Sequence, residues 1–162
     1  MNNHFAVLLD TSFFIRLFSP DEPLHENAKG YYKYFLEEKI KLKFSTISIA
    51  EYCVRGEISD LPLKQLQIIP FNYNHAIKTG IFAGIMFERL RNIDLTVTPR
   101  AIIPNDAKLF AQADIDPLVK YFITSDTRTI EKTRRLLNNG IDLQFEIINI
   151  HTPHKDQFGR LF

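Results

Sequence analysis

Residues 5–9 form an unbroken apolar run, Phe5-Ala6-Val7-Leu8-Leu9, closed by Asp10-Thr11-Ser12. A run this short, with no polar alternation, reads as a strand buried on both faces. Such a strand belongs to a parallel sheet, and parallel strands need long crossovers, usually helical. The rest of the chain is therefore expected to alternate helix and strand.

The residue pattern follows that expectation. Residues 13–18 read as a short helix stopped by Pro20 and Pro23. Residues 25–39 read as a second helix with Ala28, Tyr31, Tyr32, Phe35 and Leu36 along one stripe. Residues 42–47 are the second strand, and residues 49–55 a helix ending at Gly56. Residues 67–71 are the third strand, followed by a helix from Asn74 to about residue 91 with Ile77, Ile81, Gly84, Ile85 and Leu90 toward the core. Residues 92–103 give no clear pattern, and 98–103 are expected to be the mobile element nearest any site. Pro104-Asn105-Asp106 opens a helix through about residue 113. Residues 121–124 are the fourth strand, 127–139 a helix ended by Gly140, and 145–150 the fifth strand. This predicts a three-layer α/β/α domain over residues 1–150, built on a mostly parallel five-stranded sheet, with a tail over 151–162.

Composition narrows the class. The 162 residues suit one domain, and Lys plus Arg exceed Asp plus Glu by one, so the chain is not a strongly basic binder. The single Cys53 cannot form an internal disulfide, which fits the cytoplasm, and reads as core packing. No apolar run is long enough for a membrane, and residues 1–10 lack the pattern of a signal peptide.

Asp10, Glu51, Asp106 and Asp126 each fall at a strand-to-helix junction or in a helix's first turn. Each has a purely structural reading. Asp10 and Asp126 suit helix caps, Ser48 with Glu51 a capping box, and Asp106 the helix dipole. Asp10, Glu51 and Asp126 also share the rim at the carboxyl ends of the strands, where open α/β sheets bind ligands. If all four converge, their repulsion calls for a divalent cation, and hard oxygen donors suit Mg²⁺ or Mn²⁺.

The stretches LLDTS around Asp10, SIAEY around Glu51, PNDAKLFAQA around Asp106 and FITSDTR around Asp126 resemble, in order and spacing, the PIN-domain nucleases. Within that family the chain is similar to the VapC-type toxins of bacterial toxin–antitoxin pairs. The resemblance implies an endoribonuclease whose Asp10, Glu51, Asp106 and Asp126 coordinate Mg²⁺ or Mn²⁺. Thr11, Ser12, Thr124 and Ser125 would orient the carboxylates or waters. It also implies an RNA substrate, an antitoxin protein as partner, and a homodimer. A housekeeping RNA-processing nuclease and a non-catalytic RNA- or protein-binding module are the alternatives. A phosphatase using Asp10 as nucleophile lacks its usual second Asp, because that position holds Ser12; no Gly-rich loop follows the first strand to bind a dinucleotide.

Arg16, Arg55, Arg100, Lys108 and Arg128 are candidates for holding RNA phosphates, with Arg128 foremost. His151 and His154 read as surface residues, since Pro153 between them argues against a helix. The aromatic residues Tyr31, Tyr32, Tyr34 and Phe35 read as core or interface before base stacking. Phe158, Leu161 and Phe162 are expected to dock on the body or on a second subunit.

Overall fold

The computed structural model describes the backbone of residues 4–91 and 105–159, and their side chains except those of 86–91. The unpatterned stretch 92–103, Arg100 within it, the Leu90 side chain, Leu161 and Phe162 lie outside the described residues. The elements run β1 (Ala6–Leu9), α1 (Thr11–Leu17), α2 (His25–Glu37), β2 (Lys41–Ser45), α3 (Thr46–Tyr52), β3 (Leu66–Ile69) and α4 (Tyr73–Arg91). After these come α5 (Asn105–Ile115), β4 (Val119–Thr124), α6 (Thr129–Asn138), β5 (Glu146–Asn149) and α7 (His154–Phe158). Two 3₁₀ turns, Ile58–Asp60 and Leu63–Gln65, lead into β3.

The five strands form one sheet in the order β3-β2-β1-β4-β5, and every pairing is parallel. β1 is central and fully buried, as its apolar run requires. Val7 and Leu9 face one core layer, with Phe13, Phe14, Tyr31, Phe35 and Phe44. Ala6 and Leu8 face the other, with Phe82, Leu109, Phe110, Phe122 and Leu136. Helices α1, α2 and α7 thus cover one face, and α4, α5 and α6 the other. No helix among the described residues is long and apolar enough to cross a membrane.

Several local expectations change, and Leu36, expected on the α2 stripe, is 39% exposed. In α4, Ile77 and Ile81 are 50% and 53% exposed, while His75, Thr79, Phe82 and Ala83 face inward. The polar residues enter the core because local bonds satisfy them. Thr79 Oγ1 donates to the His75 carbonyl at 2.7 Å, and His75 Nδ1 accepts the Asn72 N–H at 3.0 Å. Burial lowers the His75 pKa.

Helix α3 begins earlier than expected. Ser45 caps it, accepting the Ile47 N–H at 3.0 Å, so Ser48 lies inside the helix and forms no capping box. Cys53 follows α3 and is exposed, not packed in the core.

The tail also folds. Pro153 precedes the helix α7, where its fixed φ is compatible and its missing N–H is no loss. Phe158 is 6% exposed and stacks on Tyr34 at 4.7 Å between ring centroids, with Tyr31, Phe35 and Tyr121 around it. Tyr31 and Phe35 are therefore core residues. His151 is exposed, whereas His154 packs against Tyr31 and Tyr34. Gly30 makes room for that ring: a Cβ there would stand 2.6 Å from His154 Nδ1.

Candidate active site

The parallel order sets the carboxyl ends of β2, β1 and β4 side by side. Asp10 follows β1, Asp126 follows β4 after Ser125, and Glu51 stands in α3 directly after β2. Asp106 lies in the first turn of α5. All four line one cleft of about 1080 Å³. Thr11, Ser12, Ile15, Phe18, Tyr52 and Val54 line it with them.

Hydroxyls bind the first two acids. Asp10 caps α1, and its Oδ1 accepts the Thr11 N–H at 2.9 Å. Its Oδ2 accepts from Ser12 Oγ at 2.7 Å and from Thr124 Oγ1 at 2.9 Å. Each hydroxyl also accepts a backbone N–H, Ser125 to Ser12 and Asp126 to Thr124, both at 3.0 Å. These relays stitch β4's end to α1. Thr11 Oγ1 donates to Glu51 Oε1 at 3.1 Å, so Glu51 serves the cleft. Among the described residues, Ser48 Oγ, one turn before it, is buried with no hydrogen-bond partner.

Cations bind the other two. Lys132 Nζ of α6 donates to Asp106 Oδ2. Asp126 Oδ1 accepts the Arg128 N–H at 2.9 Å and Arg128 Nε at 3.2 Å, and its Oδ2 accepts from Arg128 Nη2 at 3.3 Å. Asp126 does not cap α6, which starts at Thr129; it closes the turn before it.

The electrostatics separate Asp10 from Asp126. Burial pushes the Asp10 carboxyl up to about 6; hydrogen bonds from Ser12 and Thr124 oppose this, and the charges of Asp106 and Glu51 add to it. Burial also pushes Asp126 up, but hydrogen bonds from Arg128 and the charges of Arg128 and Lys132 outweigh it and leave its pKa lowered. The buried acid thus has a raised proton affinity, while the paired acid stays ionised.

The other cations divide. Arg55 lines the cleft. Arg16 bonds Glu22 and reaches Ser125 Oγ at 3.5 Å. Lys108 donates to Asn105 at 3.2 Å. Lys132 was not singled out in the sequence, because its partner lies 26 residues away with no spacing rule to connect them. The apolar wall of Ile15, Phe18 and Val54 carried no signal either.

By chemistry, the donor set suits a hard divalent cation: carboxylates from four segments, backed by short hydroxyls. Among the described residues, no three His, Cys, Asp or Glu side chains are grouped so as to hold a metal ion. Two of the four carboxylates are engaged by Lys132 and Arg128.

No protein-family model matches the chain, and no curated protein matches it in sequence. Solved structures do match. A DNA-bound VapBC structure from Salmonella typhimurium has a chain 15% identical, with a TM-score of 0.51, covering 90% of this chain and 98% of its own. A VapBC2 structure from Rickettsia felis, bound to a fragment of its promoter DNA, is 17% identical with a TM-score of 0.52, covering 90% of this chain and all of its own. At such identities the likeness is one of fold, and it spans nearly the whole described domain: the chain has the PIN-like α/β/α fold shared with these VapBC structures.

Proposed function

We propose that the protein is a metal-dependent endoribonuclease and the toxin of a toxin–antitoxin pair. The observation that carries this reading is the meeting of Asp10, Glu51, Asp106 and Asp126, from four separate segments, in one cleft. Structural caps alone do not require that meeting. Burial, and after it the charges of Asp106 and Glu51, raise the Asp10 pKa, so a cation beside Asp10 would favour its ionised form.

In this reading Asp10, Glu51, Asp106 and Asp126 hold Mg²⁺ or Mn²⁺. When bound, the cation supplies a lowered pKa for the attacking water and charge stabilisation for the phosphoryl oxygens. Ser12 and Thr124 fix the rotamer of Asp10 through Oδ2, and Thr11 fixes Glu51. Arg55, which lines the cleft, would meet a backbone phosphate in this reading. The reaction is hydrolysis of an RNA phosphodiester, leaving a 5′-phosphate and a 3′-hydroxyl. The likeness to VapBC structures supports an antitoxin protein as partner, and a homodimer and a cytoplasmic site of action belong to the same reading.

The test is cleavage of labelled RNA with and without Mg²⁺ or Mn²⁺, comparing wild type with Asp10→Asn. Metal-dependent cleavage lost in the variant is the expected result. A second reading, a non-catalytic binding module, draws on the engagement of Asp106 and Asp126 by cations. Metal-loaded, folded protein that binds RNA and leaves a broad panel uncut would favour it.

A further inference from the structure

We propose that Lys132 is a built-in counter-ion of the cleft: its ammonium holds Asp106 in the cation-free protein, and a divalent cation gains Asp106 only by displacing it. The inference rests on the metal-dependent reading above and concerns what sets the site's affinity.

The cleft is divided by origin. Asp10 and Glu51 are held by neutral hydroxyls from Thr11, Ser12 and Thr124. Asp106 and Asp126 are held by cations from α6 and the turn before it. The two cations are not equivalent. Arg128 is 80% exposed beside an Asp126 that is 28% exposed, so water screens the pair and the arginine can leave at little cost. Lys132 and Asp106 are only 25% and 21% exposed, so their attraction is screened less. Lys132 also acts electrostatically on Asp126, so a single ammonium serves both acids of the second half. Its position follows from the fold: α6 starts just after Asp126, and its first turn carries Lys132 toward the start of α5.

The four acids line one cleft, and the lysine engages one of them, Asp106. A cation entering the cleft exchanges with the lysine instead of filling a preformed cage. Lys132 is therefore a positioning residue that keeps the repelling acids together and weakens the site's cation affinity.

Calorimetric titration of Mn²⁺ into wild type, Lys132→Gln and Lys108→Gln tests this. Lys108 carries the same charge on α5, but its described partner is the neutral Asn105. Lys132→Gln is expected to bind Mn²⁺ about fivefold to tenfold more tightly than wild type, the scale of one partly buried ion pair. Lys108→Gln is expected to stay within about twofold. Equal tightening in both variants would reduce the effect to general charge and overturn the proposal, as would unchanged or weaker binding in Lys132→Gln. If wild type binds Mn²⁺ and Lys132→Gln binds no more tightly, only this inference falls. If neither binds, the metal-dependent reading falls with it. Should Lys132→Gln fail to fold, the side-chain resonances of Lys132 in wild type answer the question. They move through a Mg²⁺ titration if the ammonium is displaced, and resonances that stay fixed while the metal binds refute it.

Discussion

Replacing Asp10 by Asn removes a buried charge and keeps nearly the same shape. Asp10 is 9% exposed, and its carboxyl is raised from 3.8 to about 6, first by burial and then by its acidic neighbours against two hydroxyl hydrogen bonds. Such a rise corresponds to about 3 kcal/mol of destabilisation carried by the ionised group at neutral pH. The sign follows from proton binding. The folded state holds this proton more tightly than the unfolded state, so the penalty is absent below 3.8, grows between 3.8 and about 6, and is complete above. Asparagine escapes the penalty, but only one of its two side-chain atoms accepts: with its oxygen toward Ser12 and Thr124, its nitrogen faces the Thr11 N–H, at a cost of about 1 kcal/mol. Asp10→Asn should therefore be more stable than wild type by about 2 kcal/mol at pH 7.5, and the gain should vanish near pH 4.5. Urea denaturation of both proteins in chelator-treated buffer at the two pH values measures it. A variant less stable than wild type at pH 7.5 would refute the reasoning and return Asp10 to the role of a helix cap.

Two further substitutions probe the scaffold. Phe158→Ala should cost about 3 to 4 kcal/mol in urea denaturation, because it empties a site lined by Tyr31, Tyr34, Phe35 and Tyr121; a loss below about 1 kcal/mol would mean that the tail is not docked. Lys39, just past the C-cap of α2, has φ at +56°, in the left-handed region where a side chain is strained, so Lys39→Gly should stabilise by about 0.5 to 1 kcal/mol, and a fall in the urea midpoint would refute the strain.

Burial on two faces left the clearest mark in the sequence. The run Ala6–Leu9 has no polar residue because the central strand meets a core layer on each side, and that pattern foretold a parallel sheet. Asp10 and Asp126 were legible for the same reason: a buried strand must stop somewhere, and the stop is on the rim. Helix α4 was misread because apolar residues lie on more than one of its faces. Choosing between Ile77 and Phe82 depends on His75 and Thr79 satisfying themselves locally, which periodicity does not register. Glu51 was harder still. Ser48-Ile49-Ala50-Glu51 fits a capping box, and only the earlier start of α3 at Thr46 frees Glu51 for Thr11. The Lys132–Asp106 pair joins two helices with β4 between them in sequence, so only the folded arrangement reveals it.

The strand order also imposes a timetable. β1 lies between β2 and β4, and it is the seam between the two halves of the chain. A growing polypeptide can pair β1 with β2 and bring Thr11 to Glu51 early, but the other edge of β1 stays bare until Val119–Thr124 has been made. Until then Asp10 lacks the Thr124 hydroxyl, and Asp126 has yet to follow. The four-acid cleft is therefore completed late, when the second half closes on the seam, and a fragment that ends before β4 leaves β1 as an unpaired edge beside the outer edge of β3.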